Sequence, residues 1–370
     1  MMKTFQNLIP LLLIVCISCS SDDNTTSEEN LNQPDLLSDS TTYFPPVDSE
    51  DWETASLASL QWNSQKLTDL NSYLTTANSK AFIVLKNGKL VIEEYYNNAT
   101  STDEHAWNSA AKTITALTIG IAQEEGYLDI NTSSSTYLGT GWSSLDVISE
   151  NRITVKNHLT MTTGLDYKVS NTNCTEPRCL LKKNEPGESW FYHNAPYILL
   201  QDVVKNATGQ SFESYSAAKI QQKIGMKGAW NRLRYVNIFK SDARSMARFG
   251  LLCLNQGKWE DEVILKDINY FKDMITTSQE MNPSYGYLWW LNGKNKVQLP
   301  QSEQVFNQNL FSSAPTDLIA GLGKGDQKLY IVPSQNLVVV RLGDDAGNNT
   351  LGPSDFDNKL WELLSEVMNQ

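Results

Sequence analysis

Ser109 and Lys112 stand three residues apart in "WNSAAKTITALTIGIAQEEG", residues 107–126. Residues at that spacing on a helix share a face, so the hydroxyl and the amine can touch. An ammonium is costly to bury, and the run after Lys112 is apolar on nearly every side. Lys112 therefore has few routes to water unless it faces a cleft, and desolvation there favours the neutral amine. A neutral amine beside a serine can take its proton, which makes an oxygen nucleophile without histidine. The start of a helix adds backbone N–H groups and the positive end of the dipole, both favourable to negative charge developing near Ser109. A capping serine and a snorkelling lysine show the same spacing by chance, so the pair alone does not define an active site.

Competing chemistries find little support. No Gly-x-Ser-x-Gly elbow occurs, which argues against an α/β-hydrolase. No His-Glu-x-x-His occurs, and His105, His158 and His193 are the only histidines, so neither a metal nor a cofactor is expected. "GLGKGDQ" lacks the Gly-Lys-Ser/Thr ending of a phosphate-cradling loop and precedes a strand. A net charge of −12 with no basic stripe excludes nucleic acid as a partner.

The elements that must position the pair follow from patterning. "AFIVLKNGKLVIEEYY" reads as two strands joined at Asn87-Gly88, with a helix before it over 56–78. Residues 127–280 carry mostly helical and loop patterns, "SDARSMARFGLLCLNQGKW" being the clearest amphipathic helix. Strand-like runs resume in "YGYLWWL", "DLIAGLG", "KLYIVP" and "LVVVRLG", and "DFDNKLWELLSEVMNQ" closes the chain as a helix. The expected fold is α+β: one antiparallel sheet built from both ends of the chain, flanked by helices, with a mostly helical insertion.

The amino-terminal residues read as a targeting segment. Lys3 and the apolar "LIPLLLIVCI" form a signal-like core too short to span a membrane as a helix. "CISCSSDDN" is similar to a bacterial lipoprotein signal, over 1–18, with Cys19 after Ser18 as the lipidated residue and Asp22 and Asp23 behind it; Cys16 follows the bulkier Val15 and fits less well. An ordinary cleaved secretory signal is the other reading. Residues 19–53 hold ten acids and no Lys or Arg, so they are expected to be a disordered acidic tether, leaving 54–370 as the folded domain. The expected location is the cell envelope of a Gram-negative bacterium, periplasmic or surface-exposed, with the membrane as a partner through the lipid. Cys174 and Cys179, five apart in a polar loop, fit a small-loop disulfide better than a metal pair, and Cys253 fits a core thiol.

"WNSAAKTITALTIGIAQEEGYLDI" resembles the nucleophile helix of the serine β-lactamase/penicillin-binding-protein superfamily, in particular its class C-like branch of esterases, peptidases and amide hydrolases. Two more motifs follow in that family's order. "ESWFYHNAPYILL" carries Tyr192-His-Asn194, similar to Tyr-x-Asn, and "GKGDQKLYIVP" stands where Lys-Thr-Gly or His-Gly-Gly would be; "LTMTTGLDY" and "LVVVRLG" are also family-like. The resemblance runs from about residue 55 to the C-terminus. It implies a β-lactamase-like fold and an acyl-enzyme on Ser109, with Lys112 and Tyr192 sharing the base and acid roles. It also implies that Asn194 bonds Lys112 or a substrate amide, that Lys324 and Gly325 line the substrate, and that the N–H groups of Ser109 and Gln327 form the oxyanion hole, Gln327 lying on the edge strand. Asp326 departs from the pattern: it stands where glycine is usual and is expected to crowd the strand or repel a substrate carboxylate. His193 is read as a loop or supporting residue, Arg341 as structural, and a tryptophan of "LWW" as core or cleft wall. The function expected first is hydrolysis of a small ester, amide or peptide substrate. β-Lactam or peptidoglycan-peptide hydrolysis follows, then a catalytically silent binding lipoprotein.

Overall fold

The computed structural model describes residues 42–347 and 352–370; the expected signal segment, Cys19 and most of the tether lie outside them. β1 (Ser79–Lys86) and β2 (Lys89–Tyr95) form the predicted hairpin, its turn made by Asn87 and Gly88 at φ 52° and 79°. Two consecutive positive φ values match the strands' own twist, which is why Asn-Gly serves there. A three-stranded sheet joins residues 105–106, β3 (Ala229–Leu233) and β4 (Val236–Ser241). The remaining main-sheet strands are β5 (Trp290–Leu291), β6 (Ile319–Gly323), β7 (Gln327–Val332) and β8 (Leu337–Gly343).

The main sheet runs β2-β1-β8-β7-β6-β5, antiparallel throughout. β1 from one end of the domain pairs β8 from the other, with Phe82 opposite Arg341 and Val84 opposite Val339. Every residue of β7 and β8 is buried, because helices cover both faces. Alternation sorts them: Leu329 meets the helix Ala243–Leu254, while Lys328 and Tyr330 meet the helix Asp355–Met368. No helix among the described residues is long and apolar enough to cross a membrane.

Several expectations shift. The first helix, α1, spans only Leu67–Thr76, since Gln61 at φ 59° turns the chain and the Asn63 carboxamide caps the Gln65 N–H instead. "YGYLWWL" contributes just two residues to the sheet, because Leu288 at φ 62° breaks the extended path. The inserted region holds the β3–β4 hairpin, and its most amphipathic helix packs on the main sheet. Residues 42–53, expected in the tether, are instead part of the domain. The Tyr43 N–H donates to the Asn87 carbonyl (3.0 Å), the Trp52 indole to Gly88 (2.7 Å), and Phe44 meets Trp259 at 5.1 Å. Composition averaged over the acidic stretch hid these aromatic anchors.

Candidate active site

Trp107 fixes the start of the segment that carries Ser109 and Lys112. It is fully buried, its indole N–H donates to Ser241 Oγ (2.8 Å) and its backbone N–H to the Phe239 carbonyl (2.9 Å), both on β4. A tight turn, Asn108–Ala111, follows and carries half-buried Ser109; then α2 (Lys112–Glu124) begins, buried from Lys112 to Ala122. The three-residue spacing thus straddles the join between a tight turn and the helix, and it still brings the side chains together.

Lys112 is 3 % exposed, and its Nζ lies 3.0 Å from Ser109 Oγ and 3.0 Å from Asn194 Oδ1. The rings of Tyr197 and Tyr192 lie 4.3 and 5.0 Å from it. Burial alone pulls its pKa down to about 7, so near neutrality a large fraction is an uncharged amine. Tyr192 precedes α3 (Asn194–Thr208) and stacks on Trp290 at 5.8 Å and 19°. Burial raises the Tyr192 phenol above the ordinary tyrosine range, a hydrogen bond with Ser109 opposing it, so the phenol is protonated at neutral pH. Asn194 donates from Nδ2 to Asn173 Oδ1 (2.9 Å). Ser109, Lys112, Tyr192 and Asn194 therefore converge, as the sequence predicts.

The third motif is placed differently. Gln327 lies on β7, an inner strand between β6 and β8, so its N–H does not sit on the sheet's free edge. Its side chain is spent on the backbone of Gly325 and Gly343. Gly325 at φ 73° and Asp326 at φ 58° reverse the chain, so the motif forms a hairpin turn rather than an edge. The strand against the serine turn is β6. A Cβ on Gly323 would overlap the Trp107 carbonyl oxygen and reach 3.2 Å from Ala110 N. β5 pairs with β6 only at Ile319 and Ala320, so the outer edge beyond Ala320 has no partner strand among the described residues. Exposed Lys324 receives a bond from the Asn108 carboxamide on its carbonyl (2.7 Å), tying the hairpin to the residue before Ser109. A cleft of about 390 Å³ opens there, bordered by Asn108, Lys240 and Lys324 together with the acids Glu104, Asp344 and Asp345.

Asp326 neither crowds the strand nor faces the cleft. It is 1 % exposed, ion-paired with Lys328 (3.1 Å) and bonded by Ser354 Oγ (2.8 Å) at the start of the last helix. The left-handed backbone at Asp326 turns its side chain under the sheet. Arg341 is structural but not through an ion pair: it donates to Ser79 Oγ and to the carbonyls of Ala77, Gly325, Asp326 and Asp344. His193 is buried, its pKa pulled down to about 4 by desolvation, which leaves it neutral. Cys174 and Cys179 form a disulfide, Cys253 is a buried free thiol, and no metal-holding group of His, Cys, Asp and Glu occurs among the described residues. Sequence reasoning missed Tyr197 and Asn173. Tyr197 is three residues beyond Asn194 on α3, a spacing that places both on one face; Asn173 had no signal beyond its place beside Cys174.

Known proteins share this fold. The sequence model of a family described as Beta-lactamase matches residues 75–360. The "putative penicillin-binding protein PbpX" of Bacillus subtilis is 25 % identical over 96 % of this chain and 93 % of its own length. Among solved structures, a "putative 6-aminohexanoate-dimer hydrolase" from Bacillus anthracis superposes with TM-score 0.65 at 21 % identity, covering 89 % of each chain. A beta-lactamase from Mycobacterium bovis does so with TM-score 0.58 at 16 % identity, covering 82 % of this chain and 98 % of that one.

Proposed function

The chain belongs to the beta-lactamase family, and from that footing we propose that it is a serine hydrolase cleaving an ester or amide bond through an acyl-enzyme on Ser109. The observation that carries this reading is the buried Lys112 amine within hydrogen-bond reach of Ser109 Oγ. Neutral Lys112 takes the Ser109 proton as Oγ attacks the carbonyl carbon. The Tyr192 phenol, protonated at neutral pH, is suited to donate to the departing alkoxide or amine rather than to act first as base. The ammonium on Lys112 then returns a proton to Tyr192. Water reverses the sequence: it gives its proton to the same pair, attacks the acyl carbon, and Ser109 leaves reprotonated. The negative oxygen of each tetrahedral intermediate is assigned to the Ser109 N–H and to the unpaired outer edge of β6, in place of Gln327.

A fluorophosphonate probe is expected to label the wild-type protein and not Ser109→Ala; equal labelling of both would remove the nucleophile from Ser109. Short p-nitrophenyl esters run beside a chromogenic cephalosporin then separate esterase from lactamase.

A further inference from the structure

We propose that Asn173 is a positioning residue: it holds the Asn194 amide in the rotation that turns its oxygen, and not its nitrogen, toward Lys112. The loop closed by the Cys174–Cys179 disulfide holds Asn173 in turn. The two ends of a carboxamide are chemically opposite, one accepting and one donating. In the observed rotation, Oδ1 accepts from Lys112 Nζ at 3.0 Å and Nδ2 donates to Asn173 Oδ1 at 2.9 Å. Rotating the amide by half a turn would place two acceptors, Asn194 Oδ1 and Asn173 Oδ1, against each other. It would also aim N–H donors at Lys112. The lone pair of a neutral amine is what Ser109 needs, and a donor from Asn194 would occupy it. Asn173 thus keeps the base open to the serine by making the wrong rotation unfavourable.

The loop is built to hold that contact. The Ala195 N–H at the start of α3 donates to the Thr172 carbonyl (2.9 Å), which ties the residue before Asn173 to the residue after Asn194. Asn173 N–H donates to Asn171 Oδ1 (3.1 Å) and Cys174 N–H to the Asn171 carbonyl (3.1 Å). Beyond the disulfide, Leu180 is fully buried and its carbonyl accepts from Ser144, while Glu176 accepts the Tyr235 hydroxyl at the tip of the β3–β4 hairpin. The groups facing Lys112 Nζ are Ser109, Asn194 and the rings of Tyr192 and Tyr197. None of these is a carboxylate, so the Asn194 amide and the Ser109 hydroxyl, each 3.0 Å away, are the polar groups that bear on the amine.

The consequence for catalysis rests on the hydrolase reading above; the orientation itself does not. The test follows Lys112 directly, by carbon NMR of protein carrying [ε-13C]lysine, the signal assigned by its loss in Lys112→Met. Asn173→Asp keeps an acceptor for Asn194 and adds negative charge. Its Lys112 midpoint is expected to rise by about half a unit or more, as a nearby opposite charge favours the ammonium. The acid limb of kcat/KM for ester hydrolysis should move with it, while kcat at high pH stays near wild type. Asn173→Ala frees the amide to donate to the lone pair. Its midpoint should fall and its kcat drop about tenfold with KM little changed, less than the 10²–10⁴ that a positioned base contributes in all, since Lys112 itself remains. Cys174→Ser with Cys179→Ser should behave like the alanine variant. Unshifted titrations in both Asn173 variants would overturn the proposal, as would an Asp variant as slow as the Ala variant at high pH. A wild-type titration in the double serine variant would overturn the part assigned to the disulfide. If no ester or amide is turned over, the NMR arm still decides the orientation, so the two readings fail separately.

Discussion

In the proposed mechanism, the burial of Lys112 trades stability for reactivity. Its folded-state pKa is about 7 against an ordinary 10.5, so between those values the unfolded chain binds a proton that the folded chain does not. Stability contributed by this group therefore rises with pH from about 7 to 10.5, and below 7 the cost of burying the ammonium is felt in full. Lys112→Met is expected to melt higher than wild type at pH 7 and to lose the part of the upward slope of Tm toward about pH 9 that this group supplies. Its kcat/KM should fall by about 10²–10⁴. Wild-type kcat/KM should show an acid limb centred near the same 7, because protonation removes the base. Equal Tm slopes for the two proteins would contradict the buried-amine account. At this scale the sequence was informative where chemistry-bearing types sat at helical spacing, as Ser109 and Lys112 do, or matched a motif of the family it resembles, as Tyr192 and Asn194 do. Ser109, Lys112, Tyr192 and Asn194 could be picked out, and Tyr197 could have been. Asn173 could not, since its contact depends on how a polar loop is folded back by its own disulfide.

Among the elements, β6 does the positioning that the sequence motif assigned to β7. Its glycines let a strand backbone press on the serine turn, and Gly323 has no room for a side chain against Trp107. Gly323→Ala should push β6 away from Ser109. The expected loss is about 1–3 kcal/mol of stability, the usual cost of overpacking, together with a drop in kcat/KM larger than that seen for an alanine placed on an exposed strand. Thermal melts and ester kinetics on the same samples check both. Hairpins were legible only where turn chemistry announced them. Asn87-Gly88 did, whereas the β3–β4 turn uses Arg234 and Tyr235, residue types that carry no such signal. The two positive-φ residues Gly325 and Asp326 likewise converted an expected edge strand into a turn, a backbone effect that motif order does not reveal.

For the whole molecule, the α+β plan with a sheet drawn from both ends was readable, because long apolar runs marked its central strands. The domain boundary was not: Phe44, Pro45 and Trp52 were diluted by acidic neighbours. Arg248, buried in the helix Ala243–Leu254, donates to the carbonyls of Ile224, Pro46 and Ser49. A chain starting at residue 54 should therefore melt below one starting at residue 42, since removal of the Pro46 and Ser49 carbonyls leaves a buried guanidinium short of acceptors. Equal melting would assign residues 42–53 no part in the domain. The pairing of β1 with β8 also sets an order of events. Ser109 emerges from synthesis more than two hundred residues before the strand that will stand behind it, and Arg341, which laces Ala77 and Ser79 to the Gly325 turn, arrives later still. Contacts so distant along the chain form slowly. Under the proposed mechanism, the nascent chain thus carries the Ser109 hydroxyl in an unfinished pocket, and reactivity appears only when the last strands close the sheet.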